Sequence, residues 1–152
     1  MAMLVRLAAL LAGLWAGILL CIAAIATPAV FAFAATNAGK VVGRIFMQEA
    51  YLSLAVAVAL VVIERQRSRV DAAERAGSVF STNLVLLLGT LFCTVAGYFA
   101  VQPMMEAARA GQGSVSFGAL HGISMGFFAL KGLLVLALAW RLTRVRPAAT
   151  TS

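Results

Sequence analysis

Charge is scarce in this chain and unevenly signed: only 11% of its 152 residues are Asp, Glu, Lys or Arg, with 5 acidic against 12 basic. A soluble globular domain carries about 25% charged residues, so an ordinary water-facing surface is excluded. A single histidine, His121, excludes a bis-histidine haem and the HExxH zinc motif. Two cysteines, Cys21 and Cys93, fall inside apolar runs, and neither belongs to a CxxC pair. Each reads as a small hydrophobe and says nothing about redox compartment. The chain also lacks a phosphate-cradling glycine loop and any nucleophile with a base in sequence reach, so a non-enzymatic role is expected.

What remains is apolar length. At 63% hydrophobic and a mean hydropathy of +1.02, the chain has lipid as its solvent. Residues 7–33, 46–63, 84–101 and 118–140 form four runs of about 20 residues, the length that crosses the hydrocarbon core of a bilayer. The expected fold is all-α, an integral membrane four-helix bundle occupying residues 1–146. Its helices are expected at about 5–34, 42–66, 82–102 and 117–141, with 147–152 a disordered tail. The first run is too long for the apolar core of a cleaved signal, about 7–15 residues, so it is expected to span the membrane. Gln102 and Pro103 are expected to end the third helix.

The basic residues cluster at run ends rather than on a soluble face interleaved with aromatics, which argues against nucleic acid as a partner. Arg6, Arg65, Arg67, Arg69, Arg75, Arg141, Arg144 and Arg146 fall on one side, against Lys40, Arg44 and Arg109 on the other. By the positive-inside rule both termini and the 64–83 segment face the cytoplasm. The lipid bilayer is the first partner; a second copy or another membrane protein is compatible with the small-residue faces. Gly13 and Gly17, Gly89 and Gly97, and Gly118, Gly122 and Gly126 recur at helical spacing, as close helix packing requires.

Superposing helix depths brings Thr27, Pro28, Gln48, Glu49, Gln102, His121 and Ser124 to one level in the outer half of the bundle. Ionisable groups inside a membrane are costly, so their convergence marks a functional site by default. Glu49 with His121 is the expected central pair, the carboxylate orienting the imidazole. Three readings stay open: a hydrogen-bonded structural network, a small-ion or solute site, and a metal or haem site. Lys131, about 20 Å inside Gly118, reads as too deep to meet Glu49 and is expected to snorkel toward the cytoplasm.

Residues 14–17 (LWAG) with 28–31 (PAVF), 38–46 (AGKVVGRIF) running into 49–51 (EAY), and 117–124 (FGALHGIS) together resemble the bacterial domain-of-unknown-function 4149 family, which is related to transmembrane protein 205-like proteins. The resemblance implies a four-helix, multi-pass protein of the bacterial inner membrane and points to His121, Ser124, Glu49 and Pro28. It brings no established activity, and Lys131 has no place in the pattern. The family is distantly similar to copper-resistance D-type membrane domains, some relatives of which bind haem. That similarity keeps haem or copper open as a cofactor, with His121 the weak candidate ligand.

Overall fold

Two prolines shape the backbone of a bundle that is otherwise continuous helix. In the computed structural model, which describes residues 2–34, 36–74 and 81–144, the first span opens with α1 (Ala2–Cys21). It widens into a π-helical stretch at Ile22–Ala26 and resumes as α2 (Thr27–Phe33). The second span lies within α3 (Ala38–Glu74). The third is α4 (Thr82–Thr94), a π-helical stretch at Val95–Ala100, and α5 (Val101–Arg109); the fourth is α6 (Phe117–Thr143). All four spans are long and apolar enough to cross a membrane. The tail at 147–152 and Gly77 lie outside the described residues.

Each π stretch immediately precedes a short helix with proline in its first turn, Pro28 in α2 and Pro103 in α5. Proline has no amide hydrogen to give and its ring crowds the carbonyl four residues back. A register shift places each ring where the amide has no intrahelical partner anyway. Pro103 therefore does not end the third span: the helix runs on to Arg109 and turns at Gly111 and Gly113, whose φ of 73° and 104° suit glycine.

The turns at 34–37 and 110–116 lie at one end of the bundle, called here the loop end. Ser116 caps α6 and Ser81 caps α4, each hydroxyl accepting an amide three residues on. The main core is built from Ala8, Ala12, Trp15, Ala16 and Leu19 of α1, Ala57, Leu60 and Ile63 of α3, Leu87 of α4, and Val135 and Leu138 of α6. A smaller cluster, Val101, Met105 and Leu120, closes the loop end. Buried polar side chains occupy the interval between these clusters on α4 and α6, at Thr90, Thr94 and Lys131, and on α3 the two turns before Ala57, at Glu49 and Ser53.

The packing faces differ from those expected. The buried stripe of α1 is its alanine and Trp15 face, while a Cβ built at Gly13 or Gly17 would meet nothing within 4 Å. Gly118, Gly122 and Gly126 are equally open. Alanine is small enough for close approach and buries more than glycine, so it takes the contact within the chain. Gly89 and Gly97 do pack: a Cβ at Gly97 would lie 2.7 Å from Phe127 Cβ, and one at Gly89 3.0 Å from Leu134 Cδ1.

Candidate functional site

Glu49 is the centre of the inward-facing polar interval. It lies on α3 one turn before Ser53, and both are buried. Lys131 Nζ donates to both oxygens of the Glu49 carboxylate, at 2.7 and 2.8 Å. The Ser53 hydroxyl donates to Oε1 of the same carboxylate, and Trp15 Nε1 donates to Ser53 Oγ at 2.9 Å. Three of the four spans thus meet through one carboxylate, which has about four lone-pair sites to offer. Glu49 and Lys131 are each only 4% exposed, and Lys131 Nζ also sits 5.1 Å from the centroid of the Phe128 ring.

The expectation that Lys131 is too deep for Glu49 is therefore corrected. α3 begins at Ala38, several residues earlier than expected, which places Glu49 about 16 Å from the loop end and Lys131 about 21 Å. The remaining gap of about 5 Å closes because both side chains lean toward the loop end, where α3 and α6 both begin, and the four-carbon stem of lysine carries its charge further that way than the two-carbon stem of glutamate. Snorkelling toward the other end would have meant leaving its own rotamer preference as well as its partner.

His121 does not join the cluster. Its side chain is exposed and stacks on Phe117, with centroids 5.8 Å apart and planes 13° from parallel, and the Arg109 guanidinium caps that ring at 4.6 Å. One position of helix, about 100° of rotation, separates it from buried Leu120 on the inward face, and it lies about 6 Å from the loop end against about 16 Å for Glu49, so it shares neither face nor depth with the carboxylate. Gln48 and Pro28 are exposed, and Gln102 is half-buried. Thr27 Oγ1 is buried without a hydrogen-bond partner among the described residues. Ser124 does approach the cluster: its hydroxyl donates at 3.3 Å to the carbonyl of Gly97, inside the second π stretch.

Ser124, Glu49 and Lys131 line one small cleft with Phe46, Cys93, Thr94, Gly97, Tyr98 and Phe128, of about 20 Å³. Of the residues expected at the site, the structure brings Glu49 and Ser124 to this cleft; Lys131, Ser53 and Trp15 are the members that sequence reasoning missed. One signal was available. A tryptophan in mid-span must find an acceptor for its N–H, and Ser53 lies one turn from Glu49 on the same helix.

The Glu49 centre does not fit a metal ion. Both oxygens of Glu49 are engaged by Lys131, and no group of three or more His, Cys, Asp or Glu side chains able to hold a metal ion occurs among the described residues. An ammonium beside the carboxylate competes directly with any cation for it.

The family described as "Domain of unknown function (DUF4149)" matches residues 10–114. That range takes in Trp15, Glu49, Ser53 and the π stretch at Val95–Ala100 but stops before α6. No curated protein and no solved structure matches the chain. With more than two thirds of its length matched and four apolar helices of spanning length around one buried polar centre, the chain belongs to the DUF4149 family and is a membrane protein.

Proposed function

We propose that this chain is a multi-pass protein of the bacterial inner membrane, both ends cytoplasmic, that handles a small ion, the proton, at Glu49 and Lys131. The eight-to-three bias of basic residues supports the location and orientation. The observation that carries the function is the buried ion pair itself, at 2.7 and 2.8 Å in the middle of two spans.

Stability alone is a poor reason for such a pair. Desolvating two charges costs several kcal/mol each, and apolar side chains of similar volume often serve packing as well or better. A carboxylate facing an ammonium has chemistry that a pair of leucines lacks. Moving one proton from Lys131 Nζ to Glu49 leaves an amine and a carboxylic acid, with no net charge in either state. Shifting the proton within the pair therefore strands no charge in the bilayer. Ser53 and Trp15 keep the carboxylate oriented while the proton moves, because neither of their hydrogen bonds requires Lys131.

The test is proton flux into proteoliposomes loaded with a pH-sensitive dye under an imposed potassium diffusion potential. Wild-type protein is expected to conduct above protein-free vesicles. Glu49→Gln and Lys131→Met are expected to lower the rate by about a hundredfold, the scale for loss of a positioned proton carrier. Wild-type flux equal to that of empty vesicles, or flux indifferent to both substitutions, removes the proposal.

A further inference from the structure

Lysine has three N–H donors, and Glu49 takes two of those of Lys131. The cleft of about 20 Å³ is lined by Lys131 and also by Thr94, Gly97, Tyr98 and Ser124, which form the wall contributed by the third span and the start of α6. A water molecule needs about 10–15 Å³ of such space and two to four polar partners. The hydroxyls of this wall are already committed as donors on one side: Thr94 gives its hydrogen to the Thr90 carbonyl at 2.9 Å, and Ser124 gives its own to the Gly97 carbonyl at 3.3 Å. Their oxygens are left as acceptors. One side of the cleft thus offers an N–H and the other offers lone pairs, which is the complement of a single water.

Resting on the proton-handling reading above, we propose that the cleft binds one water molecule, which accepts an N–H of Lys131, donates to the hydroxyl oxygens of Ser124 and Thr94, and is the route by which Lys131 exchanges its proton. In that exchange the Nζ–H bond breaks as an O–H bond forms on the water. A different O–H bond of the water then breaks as its proton passes to bulk water at the loop end, past half-buried Tyr98. The water is unchanged overall; Lys131 is left neutral beside an ionised Glu49, and the next proton the pair takes up restores its neutrality. The π stretch contributes the geometry: Gly97 and Tyr98 both belong to it, and the absence of a Cβ at Gly97 lets α6 come close enough to complete the wall.

The experiment has two arms, both on the full chain in lipid. A crystal structure from lipidic mesophase at water-resolving quality is expected to show one ordered oxygen about 3 Å from Lys131 Nζ and from a wall hydroxyl. A cleft closed by side chains or occupied by an acyl chain overturns the inference, whatever the protein's transport activity. In the flux assay, Ser124→Val fills the cleft while leaving Glu49 and Lys131 in place, and is expected to slow wild-type flux by about a hundredfold. Ser124→Ala, which keeps room for the water but removes one of its two acceptors, is expected to slow flux by a smaller factor, about tenfold. Flux that stops in Glu49→Gln but is unaltered in Ser124→Val overturns the water route and leaves the proton-handling reading standing.

Discussion

Lys131 and Glu49 lie 82 residues apart in sequence, and their charged groups are in direct contact inside the bundle. The contact joins α3 to α6, two helices that start from the same end and run in the same direction, so the connection cannot be local. Removing either charge leaves the other buried without a counterion. Glu49→Gln or Lys131→Met alone is expected to destabilise the protein by about 3–5 kcal/mol. The double variant, which buries no charge, is expected to lie much closer to wild type. Denaturant titration of the detergent-solubilised protein, followed by circular dichroism, measures all four corners of the cycle; simple additivity would refute the pairing.

The Trp15–Ser53 hydrogen bond makes a second, smaller prediction. Ser53→Ala leaves the indole N–H unsatisfied in a site where Trp15 is 1% exposed, and is expected to cost about 1–3 kcal/mol. Trp15→Phe removes the donor but also part of a large core side chain, so the two substitutions combined should cost less than their sum. Fluorescence supplies an independent readout, since Trp15 is buried and Trp140 is 65% exposed. Quenchers carried on lipid chains or in water are expected to act on Trp140 and to spare Trp15.

Glycine substitutions separate the packed faces from the open ones. Gly97→Ala forces a Cβ to within 2.7 Å of Phe127 Cβ, and neither atom is the free end of a flexible side chain. The expected cost is about 1–3 kcal/mol, as for other overpacked contacts. Gly122→Ala and Gly126→Ala meet open space in mid-helix, where alanine gains about 0.5–1 kcal/mol over glycine. Thermal stability in detergent tests both signs.

That contrast shows what the sequence could and could not convey. The four spans follow from run length and hydropathy, because the bilayer fixes the length each helix must have. Which face of a span turns inward is much less legible, since in lipid both faces are apolar and a GxxxG pair looks the same facing a neighbour or an acyl chain. The site suffered from the same ambiguity. Depth points to Glu49 and Ser124 but also admits His121 and Pro28, which lie about 6–8 Å from the loop end against about 16 Å for Glu49, and Gln48, which shares the level and not the face. Lys131 was excluded by counting Cα rise alone, when side-chain lean and an earlier start of α3 together supply the missing distance.

Ser81 ties the start of α4 to the body of α3. Its oxygen accepts the Leu84 amide as the cap of α4, and its hydroxyl donates at 2.7 Å to Glu64, which Arg67 also contacts at 3.1 Å. Ser81→Ala is expected to cost about 1–2 kcal/mol, the usual value of a cap with a buried acceptor left short of one donor. Hydrogen exchange should show the loss locally, with the amides of the first turn of α4 deprotected well before those around Thr90.

His121 provides the sharpest separation between the arrangement expected from the sequence and the one observed. If the imidazole were the partner of Glu49, His121→Ala would strand a buried carboxylate, destabilise the protein by several kcal/mol and abolish proton flux. In the structure it is exposed on the loop-end surface, stacked between Phe117 and solvent, and Glu49 already has Lys131 and Ser53. His121→Ala is therefore expected to change stability by no more than about 0.5 kcal/mol, as for other surface positions away from buried networks. Flux in proteoliposomes is expected to match wild type. Flux lost in His121→Ala would return the imidazole to the proton's path and displace Lys131 from it.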